Sequence, residues 1–409
     1  MSATSDLHVP AVKNTQLKIA TFNLFNYLEP PNAYYEFEKI YTAEQWARKQ
    51  RWIIDYLKQH APDVIGFQEV FSIESLQALM AQQGYAYFAV VDSPEVIDDF
   101  IYKSPVVAIA SKYPITATEA VKHNTALASE LGLRSDFTFS RKIVRATISL
   151  PHVGSTDCYV VHFKSKRPMI EPEINTNALA TSANELTPEK NIIETLKANV
   201  AGSWGSTVQR GSEATLLMIE MIARREATQF PMVLMGDFNN ELADGVLSHL
   251  LTNTLRFAPA NDAKAYLAKY CLNDSWDLYT KAKLSQLAEH SLSPATVKTK
   301  INEAENTLAP YTDEANISDA VSNISDSQTV EEQNQLPCLT RKPSHYYGTS
   351  SSVLDYILLS CEFDPSYDDS FFEVSNHHTY DRHLINPEYE RDDLTTDHGV
   401  ILITLTLRS

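Results

Sequence analysis

The 409-residue chain is short of positive charge: 34 Lys and Arg stand against 52 Asp and Glu, a formal net charge of −18. That excludes a broad basic footprint for gripping duplex nucleic acid, because such affinity rests mostly on neutralising phosphates. A local basic patch stays compatible with it. Cysteine is sparse and scattered. Cys158, Cys271, Cys338 and Cys361 form no CxxC pair. A thiolate zinc site therefore has no support, and the four read as reduced thiols, with disulfides as the alternative. No apolar run approaches the ~20 residues of a membrane span. The opening MSATSDLHVPAVKN lacks the apolar core of a signal peptide, so a cytoplasmic location is the expectation. There is no GxxxxGK[ST] phosphate loop and no Ser or Cys in a nucleophile elbow. Those absences set aside P-loop nucleotide hydrolysis and acyl-enzyme chemistry.

What the chain does have is apolar material, 44% hydrophobic and 10% aromatic, ample for a large core. Length alone suggests two or three domains. Short apolar runs read as strands at Leu17–Phe22, Val64–Phe67, Val106–Ala110, Lys142–Leu150, Cys158–Phe163, Met232–Met235, Val353–Leu359 and Val400–Leu407. Helical periodicity marks Ala43–Gln59, with Trp46, Ile53, Ile54 and Leu57 on one stripe and Pro62 closing it. Ser75–Gln82 and Gly211–Arg225 also read as helices, the second with Leu216, Leu217, Met221 and Ile222 as its stripe. Mixed strands and helices give an α/β or α+β class. Two segments break the rhythm. Residues 166–210 are polar, with Pro168, Pro172, Pro188 and a Gly/Ser stretch at 202–206. Residues 301–335 carry eight acidic residues and no Lys, Arg or Gly, and read as a solvated surface insertion.

Polar residues cluster at the strand ends. Asn23 follows IATF, Glu69 follows VIGFQ, and His162 follows CYVV. Asp237 and Asn239 follow VLMG two apart, which in extended backbone puts both on one side. Asp355 interrupts the apolar run VLDYILL, and Asp397-His398 precedes GVILITL. Each alone has a bland reading: a turn Asn, an exposed Glu, a core His. Together they suggest chemistry. A buried carboxylate such as Asp355 needs a partner, and a histidine suits it, since the carboxylate fixes the tautomer and steadies the imidazolium. Glu69 with Asn23 or Asp397 offers the oxygen ligands a hard divalent cation prefers.

These pieces, in this order, resemble the endonuclease/exonuclease/phosphatase superfamily, the deoxyribonuclease I-like fold. The matching segments include IATFNLFNY (19–27), PDVIGFQEV (62–70), VVHFKSK (160–166), MGDFNN (235–240), SSVLDYILLS (351–360) and TTDHGVILITL (395–405). VVHFKSK looks most like bacterial nuclease-type members. The resemblance implies a four-layer α/β/β/α sandwich of two packed mixed sheets. It implies a polar tail over 1–15 and a single domain over 16–409, with insertions at about 166–210 and 280–345. It implies a Mg²⁺-dependent phosphodiester hydrolase, Mn²⁺ substituting, acting on nucleic acid. A phosphoesterase for a phospholipid, inositol phosphate or nucleotide is the alternative, and an inactive binding module a third. By position, Glu69 would be the principal metal ligand, with Asn23 and Asp397 beside it. Asp237 would orient or deprotonate the water and Asn239 would hold a phosphate oxygen. His162, and His398 paired with Asp355, would stabilise the pentavalent phosphorus. Arg141, Lys164, Lys166 and Arg167 form the local basic patch expected to meet substrate. Val160 stands where many members carry an Asn. No protein partner is implied.

Overall fold

The computed structural model describes residues 15–170, 188–251, 264–291, 339–367, 370–385 and 395–408. All of the expected tail except Thr15, the acidic stretch 301–335 and Cys338 lie outside the described residues. Residues Met1–Tyr279 with Lys342–Ser409 form one compact unit, and Thr280–Arg341 a second.

The elements run in chain order as follows. The first part holds β1 (Gln16–Tyr27), β2 (Ala33–Tyr34), α1 (Ala43–His60), β3 (Val64–Val70), α2 (Ile73–Gln82), β4 (Tyr87–Val90), β5 (Glu95–Ile97), β6 (Ile101–Lys103) and β7 (Val106–Ser111). The middle holds β8 (Ile115–Ala120), α3 (Thr125–Glu130), β9 (Val144–Leu150), β10 (Gly154–His162), α4 (Pro188–Thr228) and β11 (Met232–Asp237). Last come α5 (Lys264–Ala268), β12 (Asn273–Asp274), α6 (Ser275–Ser291), β13 (His345–Tyr347), β14 (Ser350–Ser352), β15 (Asp355–Leu359), β16 (Phe372–Tyr380), α7 (Arg382–Ile385) and β17 (Val400–Leu407).

Two six-stranded sheets carry the larger unit, ordered β16-β17-β1-β3-β7-β4 and β12-β15-β11-β10-β9-β8. Both are mixed: β1 pairs parallel to β3 and β10 parallel to β11, while β1–β17 and β11–β15 are antiparallel. One apolar cluster joins their facing sides through Ile19, Ile109, Val160, Met235, Ile357 and Ile403. A second packs α1 and α2 on the outer face of the first sheet, and a third packs α4 on the outer face of the other. The result is the α/β/β/α sandwich of the deoxyribonuclease I-like fold.

Local chemistry sets the ends. Thr42 and Gln45 form a reciprocal capping box at the start of α1. Ala61 ends that helix in a left-handed turn just before Pro62 (φ 48°). In β11, Gly236 has φ 147°, and a Cβ there would overlap the Val161 carbonyl oxygen. Only glycine lets β11 lie this close to β10.

The segment 166–210 departs from its polar, irregular reading. Its described C-terminal part is helix, so α4 begins at Pro188 rather than at Gly211. Gly202 and Gly205 sit inside the helix at a propensity cost of ~1 kcal/mol each. At Gly202 the missing side chain makes room, since a Cβ there would lie 2.7 Å from Pro168 Cβ, whereas one on Gly205 would meet Met169 at an ordinary 3.7 Å. The helix packs backbone-close against residues 168–170, and the Met169 amide donates to the Gly202 carbonyl (3.1 Å). Of the cysteines, Cys158, Cys271 and Cys361 are free thiols. Among the described residues no helix is long and apolar enough to cross a membrane.

Candidate active site

The strand register builds one row of chemistry. His162 on β10 stands beside Asp237 on β11, and Asp237 stands beside Asp355 on β15. Asp355 Oδ2 accepts from His398 Nδ1 at 2.8 Å. His398 arrives from the other sheet, just ahead of β17, and Asn23 arrives from β1. Asn23 Nδ2 donates to Asp237 Oδ2 (3.2 Å). His162, Asp237, Asp355, His398 and Asn23 thus meet where the two sheets end, and all five are buried.

Asp237 is the hub. Its Oδ1 accepts from the Asn239 amide (2.8 Å), and its Oδ2 lies 3.5 Å from His162 Nε2 and 3.9 Å from His398 Nε2. Burial first, then the charges of Asp355 and Glu69, push its carboxyl up to about 7, against the pull of His398 and the Asn239 N–H. The two imidazoles are driven apart. Burial, followed by Arg141, His398 and Lys164, holds His162 well below its usual value. Burial would also lower His398, but Asp355, Asp237 and Asp397 outweigh it and raise that ring well above its usual value. The site therefore pairs a neutral His162 with a protonated His398. Asn239, with φ 53°, turns its amide inward to the Phe163 carbonyl (3.0 Å). It braces Asp237 here.

Glu69 sits at a bulge of β3 with φ 60°, and its Oε2 accepts from the Asn26 amide (2.9 Å). Asp397 Oδ1 is buried without a hydrogen-bond partner. Burial first, and the neighbouring Glu69 charge, raise the Asp397 carboxyl to about 6, against His398. Two carboxylates within electrostatic reach, one with an orphaned oxygen, fit a hard divalent cation. His398 also groups with Asp237 and Asp355, and with His345 and Asp397. Its Nδ1 is committed to Asp355, however, and an all-oxygen set suits Mg²⁺ better than imidazole.

The four basic residues divide. Arg141 donates to the Phe163 carbonyl (3.4 Å), the same oxygen that Asn239 uses. Lys164 Nζ donates to the Arg167 carbonyl (3.1 Å). Lys166 and Arg167 are exposed.

Sequence reasoning missed several residues around the site. Lys49 is wholly buried, its ammonium donating to the carbonyls of Phe25 (2.9 Å) and Thr395 (2.6 Å). It ties the segment after Asn23 to the segment before Asp397. The signal was readable: Lys49 falls in phase with the buried face Trp46, Ile53, Tyr56 and Leu57 of α1. Glu213 of α4 is also buried and accepts from the amides of Ser140 (2.7 Å) and Lys164 (2.8 Å). It fixes both backbone segments that carry the basic patch. His345 lies 5.0 Å, ring to ring, from His398.

A family model described as endonuclease/exonuclease/phosphatase family matches residues 20–377. Comparison with curated proteins returns no match. Among solved structures, the chain is similar to an endonuclease/exonuclease/phosphatase from Beutenbergia cavernae DSM 12333, at 15% identity over 96% of this chain and 72% of that one (TM-score 0.42). It is similar to the human Nocturnin catalytic domain with bound sulfate anion, at 12% identity over 96% and 95% of the two chains (TM-score 0.47). It is also similar to D. rerio TDP2 complexed with single strand DNA product, at 12% identity over 96% and 100% (TM-score 0.44).

Proposed function

This chain belongs to the endonuclease/exonuclease/phosphatase family, and from that premise we propose that it hydrolyses phosphodiester bonds of nucleic acid with a divalent cation, Mg²⁺ in the first instance. The observation that carries the reading is the charge-separated pair of buried histidines around Asp237, with His398 held by Asp355.

Glu69, Asp397 and Asn23 would hold the cation, which when bound supplies Lewis-acid charge to a phosphate oxygen. Asp237, raised to about 7, is suited to take a proton from the attacking water near neutral pH. The water oxygen bonds to phosphorus, the bond to the leaving oxygen breaks with its electron pair, the water's proton passes to Asp237, and the departing alkoxide takes a proton from solvent. His398 Nε2, 3.9 Å from both Asp237 and Asp397, faces the space between them as a charged donor for a phosphate oxygen. Asp355 keeps that ring protonated and correctly oriented. Arg141 and Lys164 offer positive charge beside His162, which favours a polyanionic substrate on an otherwise acidic chain.

The test is purified protein with Mg²⁺ against single- and double-stranded DNA, RNA, cyclic dinucleotides, inositol phosphates and sphingomyelin. Cleavage of a nucleic acid, abolished by chelation and restored by Mg²⁺, is the expected result. Full activity after exhaustive chelation rejects the metal. Turnover of a lipid or inositol phosphate alone rejects the nuclease.

A further inference from the structure

Beside the catalytic row lies a cleft of about 920 Å³. Arg141, Lys164 and Tyr35 line its inner side. Tyr35 links it to the cation ligands: burial and the Glu69 charge raise its hydroxyl to about 12, while Arg141 and Arg167 pull the other way. The outer wall is apolar, built by Phe137, Met169 and Trp204. Trp204 is 69% exposed, although a free indole face is costly to leave in water. Lys103 and Arg134 add positive charge, so four cations meet one acid, Asp136, in a chain whose net charge is −18. The wall is also anchored. Gly202 lets α4 approach residues 168–170, and Ser206 Oγ donates to the Arg167 carbonyl.

We propose that this cleft holds unpaired nucleotides flanking the scissile phosphate, with a base stacked on Trp204 and the adjacent phosphates met by Arg141 and Lys164. The inference rests on the nucleic-acid reading above and narrows it to substrates with an unstacked strand. An exposed indole beside a cationic groove is what single-strand binding requires: the ring accepts any base face, and the cations track the backbone. Paired bases inside a duplex offer no such face. An acyl chain would need a continuous apolar channel, and here Lys103, Arg134, Arg141 and Lys164 line the same cleft.

The experiment compares wild type, Trp204→Ala, Trp204→Phe and Leu196→Ala on a single-stranded oligonucleotide with Mg²⁺. Leu196 is exposed on the same helix, eight residues from Trp204 and outside the cleft. Trp204→Ala raises KM about tenfold with a smaller change in kcat, the size expected for loss of one stacked base. Trp204→Phe recovers most of that loss, and Leu196→Ala keeps the wild-type KM. An oligonucleotide of phosphorothioate linkages quenches the tryptophan fluorescence of wild type but not of Trp204→Ala. If wild type cleaves the oligonucleotide and Trp204→Ala does so with unaltered KM and quench, the subsite is wrong and the nuclease reading stands. Equal effects from Leu196→Ala and Trp204→Ala assign the binding to the helix face and overturn the cleft. Turnover of phospholipid vesicles with no turnover of any nucleic acid overturns both readings.

Discussion

The floor of the site and its outer wall are built to opposite rules. On the floor, Asp237, Asp355, His162 and His398 are buried, placed by strand register and tied to one another across both sheets. On the wall, Trp204 and Met169 are exposed on a helix and a short segment that meet closely at Gly202. The floor has its electrostatics fixed before substrate arrives, as charge stabilisation in a transition state requires. The wall offers exposed side chains on an anchored backbone, as uniform substrate binding requires. Changes on the floor should therefore act on kcat, and changes on the wall on KM.

The largest effect belongs to the dyad. His398→Ala and Asp355→Asn should each lower kcat/KM by about 10²–10⁴-fold. The double variant should be little worse than either, since the two act as one unit. A double-mutant cycle that comes out fully additive separates them.

Next comes the buried tie beneath the floor. Lys49→Met keeps the side-chain volume but leaves the Phe25 and Thr395 carbonyls short of a charged donor. Urea denaturation should show a loss of about 3 kcal/mol. The metal concentration for half-maximal rate should rise as the segments bearing Asn23 and Asp397 loosen. Unchanged stability and metal dependence would remove Lys49 from the site.

On the wall side, the effect is read in salt. Replacing Lys164 and Lys166 by Ala should lower the slope of log affinity against log salt by about 0.7 for each single-strand phosphate that is no longer neutralised. KM should rise more than kcat falls. A slope that does not move places both lysines away from the strand.

The smallest effect near neutral pH is one of acidity. Burial, above all, lowers His383 to about 4, and its Nε2 donates to the His398 carbonyl (2.9 Å). The unfolded chain takes up that proton below about 6.5, before the folded one does. Stability from this group is complete above pH 6.5 and falls as pH drops toward about 4, by up to ~3 kcal/mol. His383→Gln should flatten the stability curve across that window.

The floor was legible in the sequence because short apolar runs end abruptly in carboxylates, amides and histidines. Asp355 inside VLDYILL and Asp237 after VLMG stand out against any apolar background. Those runs mark the strands, and the two-sheet architecture came with the family resemblance of the segments that hold them. The wall was hidden for a physical reason. Pro188, the Gly/Ser stretch and few buried positions make 188–210 look irregular, yet it is helix whose apolar side chains Ile192, Leu196, Val200 and Trp204 face solvent. Strand β16, with the sequence FEVSNHHTY, alternates burial and carries two histidines, so no apolar run announced it. Lys49 and Glu213 were passed over because charge reads as surface until its helical phase is checked.

The wholly buried ammonium of Lys49 is also a chemical clock. An acylating reagent reaches it only when the chain around Phe25 and Thr395 parts, whereas the exposed amine of Lys166 reacts at once. The ratio of the two labelling rates, read by mass spectrometry of peptides, measures how often this end of the first sheet breathes open. Divalent ions that bind between those segments should slow the Lys49 reaction in proportion to their occupancy, giving an affinity with no substrate in the tube.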